Sequence, residues 1–209
     1  SKYISELEKL GAKVHIGHDE KNVPENSIVV VSSAIKESNP ELKKAKELGL
    51  KIYHRSDLLK EISEKSNCFI GFAGCHGKTT TSGLASYVLE KSSYNPSFVV
   101  GGILPEINTN AKHQSNDVFI AELDESDGTI QKYLPDICVI NNLDEDHVDF
   151  YTEGVKSMIK VFNNFISKLK PSSKVLINID CEHTLQLEGK DFITYSCTKD
   201  ANFVAKNIS

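Results

Sequence analysis

The sequence has no long apolar run, no excess of basic residues and no paired cysteine spacing. No apolar segment approaches the roughly 20 residues that a membrane-spanning helix needs, and the chain does not open with the basic-then-apolar pattern of a secretory signal. The net charge of −5, without a basic cluster, disfavours nucleic acid as a partner. We therefore expect a cytoplasmic protein that binds neither membranes nor nucleic acid.

The cysteines are also informative, because their number is odd and their spacing is irregular. None of the pairs has the short separation that is typical of a structural zinc site. Reduced thiols in a reducing compartment are the simplest interpretation. The five cysteines are Cys68, Cys75, Cys138, Cys181 and Cys197.

What is present is the composition of a globular protein, with 39% hydrophobic and 25% charged residues over 209 positions. Short apolar runs alternate with helical patterns, which predicts an α/β fold with a mainly parallel sheet. A polar bridge at Glu64–Asn67 divides the chain into two predicted domains, 1–64 and 65–209. The predicted helices are Tyr3–Leu10, Glu41–Leu48, Asp57–Ile62, Lys78–Lys91 and Glu153–Leu169. The predicted strands are Ala12–Ile16, Ile28–Val31, Leu50–Tyr53, Phe69–Ala73, Phe98–Val100, Val118–Ala121, Ile137–Ile140, Lys174–Ile179, Phe192–Tyr195 and Phe203–Ala205.

The string GCHGKTTTS at Gly74–Ser82 is the strongest chemical signal. A buried strand, a glycine loop and a helix in this order form a phosphate-binding arrangement, because loop amides and the helix N-terminus both favour an anion. Lys78 would reach the terminal phosphates of ATP, and the Thr79 hydroxyl would hold Mg²⁺. Phe72 stands where the full pattern has its first glycine. The predicted ATP-binding residues are Gly74, Cys75, His76, Gly77, Lys78, Thr79 and Thr80.

Two further strand ends carry polar groups that could face the same ligand. Glu122 directly follows Val118–Ala121, and an acidic string that contains His147 follows Ile137–Ile140. Carboxylates beside phosphates are favourable only with a cation between them, so Glu122 is a candidate Mg²⁺ ligand. His147 would add a nitrogen ligand, which also suits Mn²⁺. The alternatives are a solvated acidic loop and a surface histidine.

Three strings together resemble the Mur ligases of bacterial cell-wall synthesis. They are GCHGKTTTS, AELDESDG at Ala121–Gly128 and NNLDEDHVDFY at Asn141–Tyr151. The strings GAKVHIGH, VVVSSAI and NPELKKA in the first domain extend the resemblance over nearly the whole chain. Glu-Ser-Asp-Gly at Glu125–Gly128 favours the alanine-adding branch over the muramyl-peptide recycling branch.

The resemblance implies a partial Rossmann-like domain for a UDP-sugar, followed by a P-loop-type central ATPase domain. It implies an ATP- and Mg²⁺-dependent ligase that joins L-alanine to UDP-N-acetylmuramic acid through an acyl phosphate. Lys78 and His147 would be catalytic, and Thr79, Glu122 and His147 would hold the metal. The residues that would bind the UDP-sugar are His18, Ser32, Ser33, Ala34 and Asn110.

The chain departs from the family pattern in several places. The glycine-rich first turn and the third domain are absent from this stretch, which we expect to be inactive by itself. Cys75 stands where the alanine-adding enzymes usually have threonine, and we expect its thiol to be exposed and reactive. Several relatives carry a carbamylated lysine where simple spacing places Phe162, so we do not predict that modification, although Lys160 is close.

Two other classes remain open at the level of sequence. A P-loop nucleotide-binding protein of another class would share the first string, but would not need the Asp-His-x-Asp string or the leading domain. A non-catalytic module that binds nucleotide sugars would also fit. Binding of ATP and of the UDP-sugar separates these classes.

Overall fold

The computed structural model describes residues 2–125, 128–145 and 154–207. The chain divides into two compact units, Ser1–Leu59 and Lys60–Ser209. In the described ranges, no helix combines the length and the apolar character that crossing a bilayer requires. The α/β architecture predicted from the alternating pattern is confirmed.

The helices and strands follow one another as expected for such a fold. In chain order they are α1 (Lys2–Lys9), β1 (Ile28–Val31), α2 (Pro40–Glu47), β2 (Lys51–His54), α3 (Arg55–Glu64), β3 (Cys68–Ala73), α4 (Lys78–Lys91), β4 (Ser97–Leu104), β5 (Thr109–Lys112), β6 (Val118–Glu122), β7 (Ile137–Ile140), α5 (Val155–Lys168), β8 (Lys174–Asn178), β9 (Ile193–Ser196) and β10 (Phe203–Val204).

The first unit contains a two-stranded parallel sheet of β1 and β2, in which Ile28 pairs with Lys51. Helix α2 connects the two strands and begins at a well-formed cap. The Asn39 side chain accepts hydrogen bonds from the backbone N–H groups of Glu41 and Leu42, at 2.9 and 3.1 Å. Pro40 occupies the first helical position, where a missing N–H has no cost. This local sequence therefore fixes where the helix starts.

The predicted strand Ala12–Ile16 is wrong. The segment has no regular secondary structure, and Ile16 is 85% exposed. Its apolar residues suggested an extended run, but a strand needs a neighbour that satisfies its backbone hydrogen-bonding groups. Among the described residues, β1 pairs only with β2, and this segment joins no sheet.

The second unit is built on an eight-stranded sheet with the order β10-β9-β8-β7-β3-β6-β4-β5. All neighbouring pairs are parallel except β4 with β5, which are antiparallel. Strand β3 lies centrally between β6 and β7. Because β3, β6 and β7 are parallel, Ala73, Glu122 and Ile140 end at the same edge of the sheet, where ligands bind in this type of fold.

The core of this unit lies between the sheet and its helices. Phe98 and Ile120 are fully buried on the sheet, next to Phe72. Helix α5 contributes a buried stripe that includes Phe162 and Phe165. Phe162 is fully buried, whereas Lys160 is exposed. The phenylalanine at this position therefore packs in the hydrophobic core.

Candidate nucleotide site

The glycine loop lies between the end of β3 and the start of α4, as the sequence predicts. Gly74 and Gly77 have φ angles of +115° and +78°, which favour glycine. Gly77 caps α4, and its carbonyl accepts hydrogen bonds from the Thr81 N–H and hydroxyl, both at 2.9 Å. The first N–H groups of α4 therefore open toward the carboxyl edge of the sheet, where an anion would be stabilised.

Lys78 folds back across this loop to a buried carboxylate. Its Nζ donates to the Gly74 carbonyl at 2.6 Å and to Glu125 Oε1 at 2.7 Å. The Lys78 side chain is 17% exposed and that of Glu125 is fully buried. Burial raises the pKa of Glu125, and the Lys78 ammonium opposes that shift. This ion pair holds the Lys78 side chain at the base of the loop, where the Glu125 carboxylate compensates the charge of the ammonium.

Glu122, at the end of β6, accepts hydrogen bonds from two hydroxyl groups and one backbone amide. Its carboxylate accepts from Thr79 Oγ1 at 3.0 Å, from Ser82 Oγ at 3.2 Å and from the Gly101 N–H. A Cβ on Gly101 would lie 2.8 Å from Thr79 Oγ1 and 3.1 Å from Glu122 Oε2. Glycine at this position therefore lets β4 approach the carboxylate closely enough to orient it.

The oxygen set of Thr79 and Glu122 suits a hard divalent cation such as Mg²⁺. A hydroxyl and a carboxylate already lie 3.0 Å apart at the start of α4. In the described ranges, no group of three or more histidine, cysteine or acidic side chains forms a metal cluster. His147, the third predicted ligand, lies outside the described residues, so the metal site stays a prediction.

Two residues of the loop have defined neighbours. The His76 ring is exposed, and its Nε2 lies 3.8 Å from Asp144 Oδ2. The Cys75 thiol is buried, with 9% exposure for the residue, and its Sγ lies 3.4 Å from Met158 Sδ. The expectation that Cys75 is exposed is therefore wrong, because its side chain points inward toward α5. Thr80 is exposed on the first turn of α4.

We expect native alkylation to modify Cys197 first, since this thiol is exposed and Cys75 is buried. Burial raises the pKa of Cys138 to about 12, which makes that thiol the matched unreactive control. The measurement is a time course with iodoacetamide, read out by peptide mass spectrometry. Faster labelling of the Cys75 peptide than of the Cys197 peptide would contradict the buried position of Cys75.

The predicted UDP-sugar residues lie in both units. In the first unit, His18 Nδ1 lies 2.7 Å from Glu41 Oε2. The hydrogen bond from Asn22 and then the one with His18 lower the pKa of Glu41. His18 is thus linked to the start of α2, and its role as a UDP-sugar ligand stays a prediction.

Ser32, Ser33 and Ala34 form the loop after β1. Ser33 Oγ lies 3.1 Å from His54 Nε2, at the end of β2. Ser32 is half-buried and Ala34 is exposed. In the second unit, Asn110 lies on β5 and its side-chain amide donates to the Val100 carbonyl at 3.4 Å. The UDP-sugar assignment of these residues stays a prediction.

Sequence reasoning gave no role to Glu125 or to the asparagine pair after β7. Glu125 belongs to an acidic run, which a sequence-based interpretation treats as solvated, but it is fully buried against Lys78. Asn141 donates to Thr81 Oγ1 at 3.2 Å and to the His76 carbonyl at 3.3 Å. The sequence did contain one indication of these roles, which is position: Glu125 follows β6 and the asparagine pair follows β7, and both strands end beside the glycine loop.

Known protein families and curated proteins resemble this chain over most of its length. The sequence profile of the Mur ligase middle domain matches residues 72–209, and that of the Mur ligase family catalytic domain matches residues 1–67. A curated UDP-N-acetylmuramate–L-alanine ligase of Persephonella marina is 41% identical over 180 residues, which cover 86% of this chain and 39% of that protein. The protein of the same name from Dictyoglomus turgidum is 40% identical, with coverage of 97% and 44%.

Solved structures share the fold. The crystal structure of the UDP-N-acetylmuramate-alanine ligase MurC of Thermotoga maritima superposes with a TM-score of 0.83 at 23% identity, over 95% of this chain and 45% of that one. A UDP-N-acetylmuramate:L-alanyl-γ-D-glutamyl-meso-diaminopimelate ligase of Neisseria meningitides has a TM-score of 0.78 at 24% identity, over 92% and 65%. The chain spans less than half the length of the two curated relatives.

Proposed function

Because this chain belongs to the Mur ligase family, we propose that the protein joins L-alanine to UDP-N-acetylmuramic acid at the expense of ATP, in the cytoplasm, to supply a peptidoglycan precursor. The observation that carries the proposal is the meeting of Lys78, Thr79 and Glu122 at one sheet edge. The curated relatives that cover most of the chain have this activity in their names.

The chemistry requires activation of a carboxylate, which is a poor electrophile. A lactyl carboxylate oxygen attacks the γ-phosphorus of ATP, and ADP leaves as an acyl phosphate forms. The amine of L-alanine then attacks the acyl carbon, inorganic phosphate leaves, and the nitrogen loses a proton as the amide forms. The protein positions the reactants and neutralises charge on the transferring phosphoryl group.

Each site residue has a definite part in this proposal. The Lys78 ammonium and the first N–H groups of α4 bind the phosphates of ATP. The Thr79 hydroxyl and the Glu122 carboxylate hold Mg²⁺, with Mn²⁺ as a substitute. The cation supplies charge neutralisation when it is bound. His147 is the proposed third ligand, and no covalent protein nucleophile is needed.

The test is a reconstituted reaction with ATP, Mg²⁺, UDP-N-acetylmuramate and L-alanine. Because we expect this stretch to be inactive by itself, the reaction uses it within a chain of the full length of the curated relatives, of which it spans less than half. We expect phosphate release that depends on both UDP-N-acetylmuramate and L-alanine, with an amide product of matching mass. A parallel reaction replaces L-alanine with the tripeptide L-alanyl-γ-D-glutamyl-meso-diaminopimelate. A product only with the tripeptide would indicate a recycling ligase. ATP hydrolysis that ignores both substrates would indicate a P-loop protein of another class.

A further inference from the structure

Asn142 contacts three consecutive residues of the glycine loop, although it lies 66 positions after His76 in the chain. Its Oδ1 accepts from the His76 N–H at 2.9 Å, and its Nδ2 donates to the His76 carbonyl at 3.0 Å. Its own carbonyl accepts from the Cys75 N–H at 3.3 Å. A Cβ built on Gly74 would lie 2.6 Å from that same carbonyl oxygen.

These contacts continue the pairing of β7 with β3 beyond the end of both strands. Two backbone bonds follow the end of the strands, from the Asn141 N–H to the Ala73 carbonyl at 3.0 Å and from the Cys75 N–H to the Asn142 carbonyl at 3.3 Å. The Asn142 side chain then supplies both a donor and an acceptor to His76, as a neighbouring strand would. An asparagine suits this position because its amide presents both groups in one plane.

The bond to the His76 carbonyl has a consequence for the next amide. That carbonyl belongs to the same planar peptide unit as the Gly77 N–H, and in a trans peptide the two groups point in opposite directions. Asn142 at 3.0 Å and Asn141 at 3.3 Å both hold the oxygen from the β7 side. The Gly77 N–H therefore points away from β7, toward the open side of the loop.

The same contacts divide the loop amides into two groups. The N–H groups of Cys75 and His76 are already bonded to Asn142. The amides that start α4 have no earlier helical turn to bond to, so they remain for a ligand. The loop is thus organised before an anion arrives, and binding does not have to supply the cost of ordering it.

We propose that Asn142 is the positioning residue of the nucleotide site, which orients the 76–77 peptide so that the Gly77 N–H faces a phosphate of ATP. It acts through the His76 backbone and does not touch the nucleotide. The inference rests on the proposed function of this site, since it needs ATP as the ligand.

The test compares Asn142→Ala with a matched control, Asn202→Ala. Asn202 Oδ1 also accepts two hydrogen bonds, from the N–H and the hydroxyl of Thr194, but it lies beside β9 and not in the glycine loop. We expect the Kd for Mg-ATP to rise roughly 10- to 100-fold in Asn142→Ala and to stay unchanged in Asn202→Ala. Calorimetry gives the Kd, and thermal unfolding gives the stability of each variant.

A second variant, Asn142→Asp, keeps the acceptor for the His76 N–H but loses the donor to the His76 carbonyl. We expect it to bind Mg-ATP at least as weakly as Asn142→Ala, because the donor fixes the 76–77 peptide. Wild-type affinity in both variants would overturn the positioning role. A fall in the Tm of the Asn142 variants much larger than that of Asn202→Ala would also overturn it, because a general loss of stability would then explain the weaker binding.

The outcomes also separate this inference from the proposed function. If the wild-type protein binds Mg-ATP and the Asn142 variants do not, but no amide is made, the positioning role stands and the ligase function fails. If the amide is made equally well by Asn142→Ala at low ATP concentration, the ligase function stands and the positioning role fails. A wild-type protein that does not bind Mg-ATP overturns both.

Discussion

Replacing Lys78 with alanine is expected to raise the Kd for Mg-ATP by roughly 100-fold or more, because a cation is lost from the base of the phosphate site. The matched control is Lys91→Ala, at the other end of α4, where the ammonium lies 5.4 Å from the Tyr87 ring. Calorimetric titration with a non-hydrolysable ATP analogue measures both affinities. Equal affinities in the two variants would show that the loop is not a phosphate site.

The buried partner of Lys78 complicates the single variant, and a double variant removes the complication. Lys78→Ala leaves the fully buried Glu125 carboxylate without its ammonium at 2.7 Å, which would cost about 3 kcal/mol. Lys78→Ala combined with Glu125→Gln removes both charges and should recover most of that stability. We expect the double variant to regain the wild-type Tm more closely without regaining ATP binding. Recovery of binding would mean that Lys78 acts only on the fold.

Gly74→Ala is the second change with a large expected effect, because two costs coincide at this position. Its φ of +115° is unfavourable for alanine, and the new Cβ would lie 2.6 Å from the Asn142 carbonyl oxygen and 2.9 Å from its nitrogen. Both atoms belong to backbone, which cannot move without separating β7 from the loop. We expect a loss of about 3 kcal/mol or more in the free energy of unfolding, together with loss of Mg-ATP binding.

The variant Gly189→Ala separates the cost of backbone strain at positive φ from the cost of the steric clash. Gly189 has a similar φ of +101°, but a Cβ there would meet nothing closer than Ile166 Cγ2 at 3.8 Å. We therefore expect a loss of roughly 1–2 kcal/mol from backbone strain alone, with ATP binding retained. Urea unfolding of both variants gives the comparison. Equal losses would mean that the glycine loop can yield to a methyl group, and that its close contact with Asn142 is not required.

The sequence predicted the elements whose signals are local. Helix α4 has the predicted bounds, Lys78–Lys91, because the glycine before it and the polar turn after it mark both ends. Strand β7 also has its predicted bounds, Ile137–Ile140, since an apolar run between polar turns suits a buried strand. Strand β5 was not predicted, because Thr109–Lys112 has no apolar alternation and is a strand only through its antiparallel pairing with β4.

The same division applies to the site. Thr79 and Glu122 were expected to meet because both were placed at the same edge of a parallel sheet, and they lie 3.0 Å apart. The burial of Glu125 and the inward direction of Cys75 depend on packing against distant residues, which no local pattern encodes. The domain boundary at 64/65 and the metal role of His147 stay predictions.

The position of β3 at the centre of its sheet has a consequence for the order of events during synthesis. Strand β3 pairs with β6 and β7, and the glycine loop that follows it is bonded to Glu125 and Asn142, which are 47 and 66 residues further along the chain. A ribosome adds roughly 5–20 residues each second, so the signature string emerges several seconds before the segments that give it shape. Although its signature string comes early in this unit, the nucleotide site can form only after Asn142 has been made, more than half-way through Lys60–Ser209.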